Sequence, residues 1–266
     1  MWSERLRRFW NQRLDALVTE LARSRREPGS RRDLLVHREQ HANRHTTGRH
    51  MIDITSQINA IDREIGTQPV ADGEGIGIRL RRTYDAPIED VWSALTEPER
   101  MRRWFLPLSG DLRPGGSFQL EGNAGGEILR CAPPSLLAVT FGSETSVVQI
   151  RLSSGGDGAT ALEFEHTVPL ELAGSGAGAL YVGPGWDGAL LALGLYLGGD
   201  ISEDPVAAAS SPEAQEFSRH SVTAWAAVIT TSRTATEDEI SAATEVSLKQ
   251  FAPDLAAAHD PESSDA

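Results

Sequence analysis

The stretch Ile76-Gly-Ile-Arg-Leu-Arg-Arg-Thr-Tyr84 holds Ile76, Ile78, Leu80 and Tyr84 in one phase of a two-residue period, the pattern of a half-buried strand. Asp85-Ala-Pro87 breaks that period, and Pro87 suits the first turn of a helix. Val91, Trp92 and Leu95 then supply the apolar face of a short helix, which Glu97-Pro98 interrupts. A second short helix runs to Trp104-Phe105.

Working outward toward the C-terminus, the same two-residue period recurs between glycine-rich turns. Strands are expected over Ser117–Glu121, Glu127–Cys131, Leu136–Phe141, Val147–Leu152 and Ala161–His166. In the last two, Val148, Ile150 and Leu152, and Leu162, Phe164 and His166, form one apolar phase, while Gln149, Arg151, Glu163 and Glu165 fill the other. Such strands make a sheet with one wet and one buried face. Trp186, Leu190, Leu193 and Leu197 follow at helical spacing and form one stripe long enough to cover that sheet. The order predicts an α+β fold with the helices on one face. A curved antiparallel sheet closed by a long helix leaves an apolar cleft between them.

Upstream, Ile54, Ile58, Ile61 and Ile65 are spaced as one helical face, with Gly66 as its stop and Pro69 to Gly77 as a loop. Gly73-Glu-Gly-Ile-Gly77 is no dinucleotide loop, because it precedes a strand and no helix starts after it. Residues 1–50 read as an Arg- and His-rich extension, partly helical through Leu6, Trp10, Leu14, Leu17 and Leu21, then disordered. There His37, His41 and His45 are spaced for one helix face, a metal site or a solvated tract. Residues 51–75 read as a short helix and linker, 76–200 as the main domain, and 201–266 as an acidic, Ala-rich helical tail with a disordered end. In that tail an acidic run from Glu237 is expected to open a helix after Thr236.

Charge narrows the function classes. The chain of 266 residues carries a net −13. Its first fifty residues hold twelve arginines against six acids, so the remainder has a net charge of −19. Long-range repulsion argues against nucleic acid as a partner of the main domain. One cysteine, Cys131, excludes an internal disulfide and any multi-cysteine metal site. The longest apolar run, Gly188 to Gly199, is too short for a membrane span, which needs roughly twenty residues. A cytoplasmic protein without a cofactor is expected.

Several blocks carry a resemblance: Arg82-Thr-Tyr-Asp-Ala-Pro through Arg103-Trp104-Phe105, Gly110-Asp-Leu-Arg-Pro-Gly-Gly116, Gly125-Gly-Glu-Ile128, Pro133-Pro134, Leu162-Glu-Phe-Glu-His166 and Gly185-Trp186. Together they resemble the START-like (SRPBCC) superfamily, in its bacterial branch similar to the C-terminal domain of the activator of heat-shock protein 90 ATPase. The resemblance covers roughly Ile76 to Leu197. It implies a helix-grip fold, with the sheet wrapped around the long C-terminal helix, and a link to stress response. It brings no fixed catalytic motif, so no catalytic or metal-binding residue is transferred. Separately, Phe9-Trp10-Asn-Gln-Arg-Leu14-Asp15-Ala-Leu17 resembles the tail of an ArsR-type repressor, which implies a fused remnant or an extension of the gene model.

The cleft-lining residues expected from these patterns are Trp104, Phe105, Phe118, Ile150, Phe164, His166, Trp186, Leu190, Leu193 and Leu197. His166 has two readings: a buried imidazole acting on a ligand, or a core histidine bonded to backbone. No serine or cysteine is recognisably placed to complete a triad with it. Trp104 and Phe105 either cap the mouth of the cleft or pack the second short helix. Three functions follow. The first is non-enzymatic binding of a small apolar or amphipathic ligand. The second is a co-chaperone-like or regulatory module with a protein partner. The third is an enzyme of the cyclase or hydrolase kind.

Overall fold

A computed structural model describes residues 52–71, 73–202 and 204–257. The Arg-rich helix of the first fifty residues, the three spaced histidines and the expected disordered end lie outside the described residues. The chain forms α1 (Ile54–Asn59), β1 (Asp62–Val70), β2 (Gly73–Tyr84), α2 (Ile88–Thr96), α3 (Pro98–Met101) and β3 (Leu108–Gly110). Then come β4 (Ser117–Leu120), β5 (Gly125–Ala132), β6 (Leu136–Thr140), β7 (Val147–Ser154) and β8 (Thr160–Pro169). The helices α4 (Leu170–Ala173), α5 (Gly183–Leu197), α6 (Pro205–Ala208), α7 (Pro212–Ser232), α8 (Glu237–Phe251) and α9 (Pro253–Ala257) follow. The eight strands make one antiparallel sheet in the order β1-β2-β8-β7-β6-β5-β4-β3, with the helix-grip arrangement of an α+β fold.

The isoleucine series is not one helix. Helix α1 stops at Asn59, and Ile65 lies in β1, paired with Ile78 of β2. A spacing of four fits both periods, since residues four apart also share a face of a strand. Nine cross-strand pairs to β2 decide in favour of the strand, and the expected loop at Pro69–Gly77 becomes a tight hairpin.

The inner face of the sheet carries Ile78, Leu80, Val148, Leu152, Leu162 and Phe164, all buried. The outer face carries a ladder of ion pairs: Arg81 to Glu64 at 2.7 Å and to Glu163 at 2.9 Å, and Arg79 to Glu165 at 3.3 Å. Each such exposed pair contributes only about 0–1 kcal/mol, so their main effect is to keep this face wet.

Helix α5 lies across the inner face. Tyr84 donates its hydroxyl to the Leu190 carbonyl at 3.0 Å, and Gly183 lets the Trp225 ring approach so closely that a Cβ there would stand 2.5 Å from it. The region expected as a tail contributes to the same core, which corrects that reading. Phe217, Val222, Trp225 and Ile229 of α7 are almost wholly buried, and Ile240 and Ala243 of α8 join them. Helix α8 does open after Thr236, through a reciprocal cap in which the Thr236 hydroxyl accepts from the Glu239 amide and the Glu239 carboxylate accepts from the Thr236 amide.

Asp187, fully buried on α5, ties three elements together. Its Oδ2 accepts from Arg63 Nε of β1 at 2.8 Å, from Trp225 Nε1 of α7 at 3.2 Å and from the Ser221 hydroxyl. Arg63 also donates to the carbonyls of Ile58 and Ile61.

Candidate functional site

Between the sheet, α2, α3 and α5 lies an apolar cavity of about 160 Å³ that opens to solvent. The sheet contributes Phe118 and Leu120 from β4, Ile128 and Cys131 from β5, Leu137 and Val139 from β6, Val148 and Ile150 from β7, and Leu162 and Phe164 from β8. Phe141, one residue beyond β6, continues the phase of Leu137 and Val139 into the cavity. Helices α2 and α3 add Leu95, Thr96 and Met101, and the chain beyond α3 adds Trp104, Phe105, Leu108 and Leu112. Helix α5 adds Trp186, Ala189, Leu190 and Leu193.

A bulge in β5 shapes this wall. Ile128 pairs with Val139, but the next pairs are Arg130 with Ala138 and Cys131 with Leu137. The extra residue, Leu129, reverses the alternation, so Cys131 lines the cavity and Arg130 is exposed. Burial pushes the Cys131 thiol up, because its ionised form is poorly solvated there.

The aromatic side chains form two groups, one around Trp186 and one made by Trp104 and Phe105. Phe164 and Trp186 have ring centroids 4.4 Å apart, Phe141 and Trp186 5.1 Å, and Trp104 and Phe105 5.4 Å. Their polar atoms are already engaged. Trp104 donates its indole N–H to the Ala94 carbonyl at 3.0 Å, and the Thr96 hydroxyl donates to the Trp92 carbonyl at 2.8 Å. The Trp186 indole N–H donates to Nδ1 of His166 at 3.1 Å.

His166 itself stands behind this wall. Its Nδ1 accepts from Trp186, which places the proton of the neutral ring on Nε2, 2.8 Å from the Ser146 hydroxyl. Burial lowers its pKa to about 4, so the imidazole is neutral at pH 7. Both nitrogens are engaged by side chains, where the core reading expected backbone.

Of the ten residues expected to line the cleft, eight do so: Trp104, Phe105, Phe118, Ile150, Phe164, Trp186, Leu190 and Leu193. His166 and Leu197 do not. Leu197 ends α5 past the cavity and is half-buried against the core. Fourteen other residues line the cavity, Phe141, Cys131 and Ala189 among them. The β6 phase running through Leu137 and Val139 could have found Phe141, whereas a bulge leaves no such trace for Cys131.

The chain matches the family model for activator of Hsp90 ATPase homolog 1-like proteins over residues 85–198. Among solved structures it is 41% identical to CalU16 from Micromonospora echinospora, over 64% of this chain and 98% of that one, with a TM-score of 0.54 for the crystal structure. The chain belongs to the AHSA1 family. The solution structure of CalU16 gives the same identity and a TM-score of 0.56 over 65% of this chain. A heat-shock protein 90 activator from Plasmodium falciparum is 22% identical over 35% of this chain and 74% of that one, with a TM-score of 0.33. Among curated proteins no match is found. The AHSA1 match contains α2, α3, β3 to β8 and α5 up to its last residue, and so includes every cavity-lining residue. Among the described residues no helix is long and apolar enough to cross a membrane, and no cluster of three or more metal-ligating side chains occurs.

Proposed function

We propose that this AHSA1 domain binds a small apolar or amphipathic molecule in the cavity between sheet and α5, without transforming it. The observation that carries this reading is an open-mouthed apolar space inside an otherwise packed core. Interiors normally fill such space, because each methylene lost from contact costs stability. Here the wall is almost wholly hydrocarbon, its one titratable side chain among the described residues is the Cys131 thiol, and His166 behind it has both nitrogens engaged.

Cys131, the single cysteine, gives a direct assay because it lines the cavity. Alkylation of its thiol at pH 8.5 is expected to slow when a ligand occupies the site, and native mass spectrometry is expected to show the added mass. An unchanged alkylation rate and no added mass with fatty acids, sterols and aromatic hydrocarbons would refute the reading.

A further inference from the structure

We infer that the enclosed part of the ligand is an uncharged, planar aromatic ring, with any polar portion left outside the mouth. This rests on the cavity-binding reading above and narrows it to a chemical class.

Three observations carry it. The first is the chemistry of the wall. Among the described residues no charged side chain lines the cavity, and the N–H or O–H groups of Trp104, Trp186 and Thr96 are all given to acceptors within the protein. A carboxylate, carbonyl or ammonium group carried inside would lose its water and find no replacement except the weakly polar Cys131 thiol.

Size comes second. A space of about 160 Å³ is close to the roughly 150 Å³ of an engineered apolar cavity that holds benzene. One six-membered ring fits inside, and anything larger projects through the mouth, where Leu112 is exposed.

The third observation concerns shape and quadrupole. Phe141 and Phe164 are tilted at 56° and 44° to Trp186, and all three rings line the space. Aromatic partners gain from edge-to-face and offset contacts, whereas saturated rings gain only dispersion. Straight alkyl chains and sterols, which lack a quadrupole, have no comparable advantage.

The test compares toluene with methylcyclohexane, each supplied to the full chain at equal fractions of its saturated vapour. Equal saturation cancels the difference in their transfer from water and leaves the preference of the wall. Benzoate at pH 7.5, at the molar concentration of toluene, tests charge. The readout is the set of indole N–H resonances. Trp104 and Trp186 line the cavity, while Trp225 lies behind α5 on Asp187 and serves as the control.

Toluene is expected to shift Trp104 and Trp186, leave Trp225 in place, and bind about tenfold tighter than methylcyclohexane on the saturation scale. Benzoate is expected to bind at least about a hundredfold more weakly than toluene. Methylcyclohexane binding as well as toluene, or benzoate shifting the same resonances at the same concentration, would overturn the aromatic assignment while leaving a working binding site. Shifts from none of the three would remove the binding reading itself.

Discussion

The indole N–H of Trp186 points at Nδ1 of His166, 3.1 Å away, and so couples the cavity wall to a buried imidazole that cannot accept a second proton without losing this bond. Protonated histidine offers only donors, and the indole is also only a donor. The bond therefore exists with neutral His166 alone.

A pH dependence follows. The pKa of His166 is about 4 in the folded chain, against about 6.5 for the free side chain. The unfolded chain therefore binds the extra proton first as pH falls. The contribution of this group is fully present above pH 6.5 and is lost progressively down to about pH 4. Between pH 6.5 and pH 5 the loss is expected to be about 1.5 kcal/mol, in a window where most carboxylates stay ionised. Denaturant melts of the native chain and of His166→Gln at both pH values check this. Equal pH slopes for the two proteins would contradict it.

Asp187 gives a second expectation. Its carboxylate receives Arg63, Ser221 and Trp225 in a fully buried setting. Asp187→Ala strands the Arg63 guanidinium and is expected to cost about 3–5 kcal/mol. Changing both partners, Arg63→Met with Asp187→Leu, is expected to recover a large part of that, because no uncompensated charge is left. Urea unfolding of the native chain and the two variants measures it, and a double variant no more stable than Asp187→Ala would count against the buried pair.

How far these features are visible in the sequence depends on their range. The period of two in β2, β7 and β8, and the stripe of Trp186, Leu190 and Leu193, reflect burial on one face, which each segment records in its own residue order. Ile65 is ambiguous because its spacing of four from Ile61 satisfies strand and helix alike; only its pairing with Ile78 of β2 resolves it. The partners of Asp187 stand 124, 34 and 38 residues away, a relationship no local pattern encodes. Cys131 reaches the cavity through a bulge, whose extra residue is defined by its partner strand. The buried face of α7 falls within the stretch that reads as a tail, because the surfaces it packs on lie in α5 and β1.

Core and cavity wall respond differently to truncation. Leu80 of β2 is wholly buried away from the cavity, whereas Leu95 lines it. Leucine-to-alanine changes in cores cost about 2–5 kcal/mol, more where a sealed void is left. Helix α2 ends beside space that is already open, so Leu95→Ala is expected near about 2 kcal/mol and Leu80→Ala above it. Chemical denaturation of both variants decides the order, and a cost below half of that for Leu95→Ala would make α2 peripheral.

Filling the cavity separates fold from binding. Leu193→Trp extends a side chain from α5 toward open space, so it is expected to cost less than the about 1–3 kcal/mol typical of overpacking in a filled core. Ligand uptake, read by protection of Cys131, should fall sharply in the same variant. Lost stability with unchanged uptake would mean that the ligand sits elsewhere.

The central claim is that this core keeps an apolar space open for an occupant, and xenon tests it most directly. Xenon enters dry apolar cavities of this size and scatters anomalously. Crystals of the full chain under xenon pressure are expected to show a strong anomalous peak among Phe118, Ile150, Phe164 and Leu193. Side chains collapsed into that volume, with no peak there, would contradict the account.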